Sequence, residues 1–359
     1  MVIGVDAGCL GVEDDRLKAG VYYVAYNLLK ELSKIDKKNA YLLYSLHPIP
    51  ENILKQFPKK SKNIVLPSFG WLNLQLPISF VKQKPDVFLA LSQAMPKIHP
   101  FKTIGFIHAL DFIPEFHLES NTKLKNNSEY LIKEADTIIT SSEFLKKSLK
   151  KKYHIKNTIV IHLGVDQVFS KKIKAYKMDT PYFIFVGTFK PSKNIPVLIK
   201  AFSLFLKSTN KQYKLLLIGS DFWLDKNIEK IIKNNDLEKN IVTIPSIPNS
   251  NLPPFYMGAT SFISPSIYEG FGMTFLEAMA SCTPIIGSRV GAIPEVVGDA
   301  GILIGTPKDY KGISNAMIKL ATNESLRKKY IKIGKDRVKN FSWEKFANNF
   351  YKEIKKYEV

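Results

Sequence analysis

Ser264-Pro265-Ser266-Ile267-Tyr268-Glu269-Gly270-Phe271-Gly272-Met273-Thr274-Phe275-Leu276-Glu277-Ala278-Met279-Ala280 is the most informative stretch of this 359-residue chain. It reads as the end of a strand, a loop with two glycines, and a helix that starts near Gly272 or Met273. Glycines let backbone come close to a ligand. The first N–H groups of a helix, here those of Met273, Thr274 and Phe275, point out of a terminus with partial positive charge. Such a turn suits a phosphate. Two carboxylates flank it, Glu269 in the loop and Glu277 about one turn into a largely apolar helix. A carboxylate among Phe275, Leu276, Ala278 and Met279 calls for a partner, because burying it alone costs several kcal/mol. Hydroxyl groups of a ribose or hexose would supply one. On spacing alone a plainer reading stands beside this: acidic residues near a helix start are favourable by about 0.3–1 kcal/mol without any ligand.

Outward from that element, short apolar runs alternate with helical patterns, the signature of parallel sheets with crossover helices. In the first half, strands are expected near Val2–Val5, Tyr41–Ser45, Ile64–Leu66, Val87–Ala90, Thr103–Ile107, Thr137–Thr140 and Thr158–Ile161, with helices at Val21–Ser33 and Glu143–Lys152. The second half repeats the arrangement. Strands are expected at Tyr182–Val186, Lys214–Ile218, Ile241–Ile244, Ser261–Ser264 and Pro284–Ile286, and helices at Pro196–Ser208, Asp225–Asn234, Met273–Ala280 and Gly312–Ala321. The polar, lysine-rich segment Ser170–Thr180 separates the blocks and ends at Pro181. The expected organisation is an α/β chain of two Rossmann-like domains, residues 1–170 and 171–342, followed by an amphipathic helix from Trp343 that crosses back onto the first domain. Ligands of such sheets bind beyond the carboxyl ends of the strands, so the cleft between the halves is the expected site. A second phosphate-type loop, Phe185-Val186-Gly187-Thr188-Phe189-Lys190-Pro191-Ser192-Lys193-Asn194, follows the first strand of the second half. There Lys190 and Lys193 would face a diphosphate.

Composition narrows the function classes. Hydrophobic residues make up 45% of the chain and aromatics 12%, enough for folded cores. The formal charge is +20, divided as +7 on residues 1–170 and +13 on residues 171–359. Only four basic residues are arginines, which argues against a reader of nucleic-acid sequence. Cys9 and Cys282 lie in no metal-type spacing and read as free thiols in a reducing compartment. His47, His99, His117 and His154 show no ligand spacing either. The start MVIGVDAGCLG lacks a secretion signal and no window reaches eighteen apolar residues, so a cytoplasmic location is expected. Lys146, Lys147, Lys150, Lys151 and Lys152 form a basic cluster that would suit either an anionic membrane face or a solvated helix face.

Glu269-x7-Glu277 within IYEGFGMTFLEAMA, followed by Gly291-Ala292-Ile293-Pro294-Glu295-Val296-Val297-Gly298, closely resembles the retaining glycosyltransferases of family 4, which are GT-B enzymes. The resemblance extends to Gly20 before the first long helix, His108 after the fifth strand, Ala135-Asp136 to Ser141-Ser142-Glu143-Phe144, His162-Leu163-Gly164-Val165-Asp166, Lys193-Asn194 and Phe341-Ser342-Trp343. It implies that Glu277 holds the ribose hydroxyls of a nucleotide-sugar and Glu269 the hydroxyls of its hexose. Gly270, Phe271, Gly272, Met273 and Thr274 would present backbone to sugar and diphosphate, and Lys193 would neutralise phosphate charge. Gly20 would let the first loop approach the diphosphate, and His108 would sit by the transferred sugar.

Three departures stand out. Lys190-Pro191-Ser192-Lys193-Asn194 has no arginine, and Lys190 is taken as the second charge. His108 is followed by Ala109 in place of an aspartate, the next carboxylate being Asp111. A glycine usual near the base pocket is replaced within Ile244-Pro245-Ser246-Ile247-Pro248. The implied reaction moves a mannose- or glucose-type hexose from a GDP or UDP carrier to a hydroxyl of a glycan, a lipid-linked or a small-molecule acceptor. Anomeric configuration is retained, and no cofactor is needed. No Asp-x-Asp motif occurs, which fits a metal-independent enzyme. A nucleotide-sugar epimerase or a phosphorylase would use the same fold. A dinucleotide oxidoreductase fits less well, since GFGMTF carries phenylalanine where the third fingerprint glycine belongs.

Overall fold

The computed structural model describes residues 1–110, 112, 122–155, 157–219 and 226–358. Contacts divide these residues into two compact units, Met1–Gly164 with Trp343–Val359, and Val165–Ser342. The division falls a few residues before the expected 170/171 boundary. Phe169 explains this: it is buried in the second unit, its ring 6.0 Å from that of Tyr256 and its carbonyl accepting from the Ser281 hydroxyl.

The first unit is built on seven strands, β1 (Val2–Asp6), β2 (Ala40–Ser45), β3 (Ser61–Val65), β4 (Val87–Ala90), β5 (Lys102–Ile107), β6 (Thr137–Thr140) and β7 (Thr158–Val160). They are all parallel, in the order β3-β2-β1-β4-β5-β6-β7. The second has six parallel strands, β8 (Tyr182–Val186), β9 (Lys214–Gly219), β10 (Ile241–Pro245), β11 (Ser261–Ser264), β12 (Ile285–Ser288) and β13 (Gly301–Ile304), in the order β10-β9-β8-β11-β12-β13. The central strands are continuous apolar runs because helices cover both faces, as parallel sheets require.

In the second unit the core is aromatic. Phe183 on β8 meets Phe202 and Phe205 of the helix Ile195–Thr209 and Tyr213 before β9, with ring centroids 5.0–6.5 Å apart. Such pairs add about 0.5–1.5 kcal/mol each beyond burial. In the first unit the closing helix Trp343–Lys355 buries Phe346 and Phe350 against Phe106 of β5.

All twelve expected strands are present, with ends shifted by a few residues. β13 was not expected: it is an edge strand that opens on Gly301 and is only partly buried, and glycine weakens a strand pattern. Also unforeseen is the helix Leu76–Lys82, whose sequence is apolar on every side and so has no helical period to detect. Asp225, at the start of one expected helix, and Asp111 lie outside the described residues.

Candidate active site

In a doubly wound sheet the loops beyond the carboxyl ends of two neighbouring strands part where the strand order reverses, and that opening is where ligands bind. In the second unit the reversal lies between β8 and β11. The two glycine-bearing loops singled out in the sequence, residues 187–194 and 265–272, follow those two strands.

The loops are tied together by backbone. Ile267 N–H donates to the Ser192 carbonyl at 2.8 Å. The Asn194 side chain, on a residue with φ of 56°, donates to the carbonyls of Pro265 at 3.1 Å and Pro307 at 2.7 Å. The third loop, after β12, locks onto the second through Ala292 N–H donating to the Glu269 carbonyl at 3.0 Å. Gly291 makes that approach feasible. Its φ is +57°, and a Cβ there would lie 2.4 Å from the Glu269 oxygen.

On this frame Lys193 and Glu269 meet. The Lys193 ammonium donates to Glu269 Oε1 at 2.5 Å, and the Ser266 hydroxyl donates to the same oxygen at 2.9 Å. Both side chains are largely buried, 16% and 10% exposed. Among the described residues the hydrogen bonds of this carboxylate all run to Oε1, which leaves Oε2 to accept from a ligand hydroxyl. Lysine carries three donors, so Lys193 keeps capacity for a phosphate oxygen.

Gly272, with φ of 97°, starts the helix Met273–Ala280 without a side-chain cap, so Met273 and Thr274 form its first turn. Phe271 turns its ring inward against Phe341, 6.0 Å away, so this residue offers the loop its backbone. Glu277 on that helix is buried and accepts from the Tyr256 hydroxyl at 3.1 Å. Burial pushes its pKa up to about 7; the Tyr256 hydrogen bond opposes the rise and the charge of Asp166 adds to it. Lys190 lies just before the short turn Pro191–Lys193, its N–H bonded to the Thr188 carbonyl.

The remaining expected residues belong to the first unit. Gly20 opens the helix Gly20–Ile35, and a Cβ there would meet nothing within 4 Å. His108 follows β5. Its Nε2 lies 2.6 Å from the Leu91 carbonyl, which assigns the proton to Nε2, and burial pulls its pKa down to about 4. The imidazole is therefore neutral at pH 7, with Nδ1 left as an acceptor.

Sequence reasoning missed what holds this turn. Gln93, buried and at φ of 62°, accepts from His108 N–H at 2.8 Å and Ala109 N–H at 3.2 Å, and donates to the Ala109 carbonyl and the Ser128 hydroxyl. The neutral amide fixes the turn, in which Ala109 stands in place of an aspartate. Beside it, Ser92 bonds the buried Asp6 carboxylate across the β1/β4 reversal.

A cavity of about 900 Å³ opens at the opposite, amino ends of the first sheet. Two of its charged side chains are bonded there, Lys102 to Asp136 at 2.7 Å and Asp86 to the Val2 N–H at 2.6 Å. Among the described residues no group of three or more His, Cys, Asp or Glu side chains is arranged to hold a metal ion.

Residues 166–337 match the family model of glycosyl transferases group 1. An O-antigen chain mannosyltransferase B of Escherichia coli is 37% identical over 163 residues, 45% of this chain and 42% of that protein. An uncharacterized glycosyltransferase of Methanocaldococcus jannaschii is 33% identical over 233 residues, 64% of this chain and 62% of that one. The chain thus matches about two fifths to three fifths of the length of these relatives. The solved sucrose-phosphate synthase of Thermosynechococcus elongatus superimposes with a TM-score of 0.80 over 99% of this chain and 98% of its own, at 19% identity. That likeness shows a shared GT-B fold.

Proposed function

Because residues 166–337 match the family of glycosyl transferases group 1, we propose that this chain is a retaining hexosyltransferase using a nucleoside-diphosphate sugar. The observation that carries the reading is the Lys193–Glu269 pair, set at the strand-order reversal with Glu277 buried on the adjoining helix. Glu277 takes the ribose hydroxyls, and Glu269 Oε2 takes a hexose hydroxyl. Lys193, with Lys190 and the first N–H groups of the helix Met273–Ala280, stabilises the diphosphate as charge develops on it. The bond from the anomeric carbon to the diphosphate oxygen breaks, and the acceptor oxygen bonds that carbon on the same face. The acceptor proton passes to the departing phosphate. His108, neutral, accepts a hydroxyl of the transferred sugar at Nδ1, and Gly20 leaves its loop open to the diphosphate.

Mannose is the favoured hexose, on the strength of the Escherichia coli relative's name, and the acceptor is a glycan or lipid-linked hydroxyl. The reaction is proposed to need no metal, because no Asp-x-Asp motif occurs in the sequence.

The test is a thermal-shift screen against UDP, GDP, ADP and their sugars, with and without EDTA, followed by product analysis with the donor that binds. A shift with one nucleotide that survives EDTA, and transfer with retained configuration, is expected. Turnover of the sugar without acceptor would make the protein an epimerase, and dependence on inorganic phosphate a phosphorylase. No shift with any nucleotide would refute the reading.

A further inference from the structure

Ten large hydrophobic side chains are at least a third exposed among the described residues, and six of them lie between positions 65 and 98. Scattered exposed apolar residues need no explanation, whereas a contiguous group marks a surface that meets something. The group sits on the turn Trp71–Gln75 and the helix Leu76–Lys82, a run without a charge until Lys82. One side of the helix is anchored: Phe80 packs edge to face on Tyr44, Phe88 and Phe101, with centroids 4.7–5.6 Å apart. The other side should be polar if it faced water alone. Instead Leu74, Ile78 and Val81, spaced four and three apart on one stripe, are 43%, 48% and 89% exposed. Phe69, 81% exposed, precedes the turn. Lys97 N–H donates to the Asn73 side chain at 3.1 Å, which places Ile98, 66% exposed, beside it.

Charge identifies the partner. Residues 52–110 hold eight lysines and one acidic residue, Asp86, whose carboxylate accepts from Val2 N–H at 2.6 Å. That stretch alone carries +7, which equals the whole excess of residues 1–170. Lys82 ends the helix, Lys84 follows two residues on at the edge of the amino-end cavity, and Lys97 is bonded to Asn73 of the turn; all three are exposed. Face-to-face pairing of two copies would oppose like charges. An anionic bilayer satisfies both features, since apolar side chains enter the acyl boundary while lysine stems reach the headgroups.

We propose that the face of Phe69, Leu74, Ile78, Val81 and Ile98, ringed by Lys82, Lys84 and Lys97, docks this protein on an anionic lipid membrane. The sequence cluster at Lys146–Lys152 is not the docking element. On its helix, Glu143–Tyr153, the aliphatic side chains Leu145 and Leu149 turn inward, and no large apolar residue is exposed beside the lysines. No helix among the described residues is long and apolar enough to cross a membrane.

The experiment is co-sedimentation of the full chain with phosphatidylcholine vesicles, with and without phosphatidylglycerol, in the absence of nucleotide. It stands apart from the transferase reading because no turnover is measured. The expected result is salt-sensitive binding to the anionic vesicles. Lys82→Gln/Lys84→Gln should weaken it about 25-fold, roughly fivefold per lysine. Ile78→Ser/Val81→Ser should weaken it at least tenfold. Melting temperatures should stay unchanged for Lys82→Gln/Lys84→Gln and fall by no more than a few degrees for Ile78→Ser/Val81→Ser, since Ile78 is the one half-buried side chain of the four. Equal binding to neutral vesicles, no binding at all, or wild-type binding by both double variants would overturn the proposal. So would loss of binding in Lys146→Gln/Lys147→Gln alone, or a lipid-free dimer that Ile78→Ser/Val81→Ser dissolves.

Discussion

Glu277→Gln keeps the shape of a buried side chain and removes its charge. In the folded protein the Glu277 pKa is raised from 4.5 to about 7, chiefly by burial. Between those two values the unfolded chain has released the proton while the folded chain still holds it. Wild-type stability therefore falls as pH rises through this window and levels off above about 7. A rise from 4.5 to about 7 corresponds to about 3 kcal/mol. The glutamine variant has no such loss. With about 2–4 °C of melting temperature per kcal/mol for a domain of this size, its melting point relative to wild type should rise by about 6–12 °C between pH 4 and pH 8. Calorimetry of both proteins across that range is the assay. A gap that does not change with pH would refute the assignment of a destabilising buried carboxylate. Nucleotide binding should respond with the opposite sign. Hydrogen bonds to a charged group contribute about 1.5–3 kcal/mol, so the variant should lose roughly ten- to a hundredfold in nucleotide affinity at pH 8. Wild-type affinity should climb with pH up to about 7. A variant that is more stable yet binds nucleotide unchanged would leave the burial argument intact and remove Glu277 from the ribose site.

The Lys193–Glu269 pair gives a second test. Lys193→Met leaves a buried carboxylate without its cation and should cost about 3–5 kcal/mol in denaturant titrations, whereas Lys193→Met/Glu269→Gln should recover most of that stability and stay inactive. Gly291→Ala puts a Cβ 2.4 Å from the Glu269 carbonyl at a positive φ, and should lower the melting point by several degrees and weaken nucleotide binding. An unchanged melting curve would show that the loop after β12 does not brace the loop after β11.

Twelve of the thirteen strands were legible because they are short, mostly apolar runs, and the loops after β8 and β11, with the helix Met273–Ala280 that carries Glu277, stood out because glycine-bearing loops follow strands there. What holds those residues was not. Ser266 and Tyr256 contact the two carboxylates from positions that no spacing rule connects to them, and the Lys193–Glu269 contact itself joins residues 76 apart. Gln93 reads as one polar residue after a strand, and its role rests on a left-handed backbone that its residue type does not announce. The helix Leu76–Lys82 was missed for the same reason that it matters: amphipathic period is the signal for a helix with one wet face, and this helix presents apolar residues on its exposed side as well. The boundary between the units was displaced because polarity marks where a linker looks solvated, whereas Phe169 had already entered the second core.

The lacing of the three loops in the second unit changes when conformational entropy is given up. Ile267 N–H to Ser192, Ala292 N–H to Glu269 and the Asn194 amide to Pro265 and Pro307 order these segments during folding. A ligand arriving there has little backbone left to immobilise. The same bonds make the loops open together with the strands they follow, so their amides should exchange with solvent at the pace of the sheet interior, unlike ordinary surface connections.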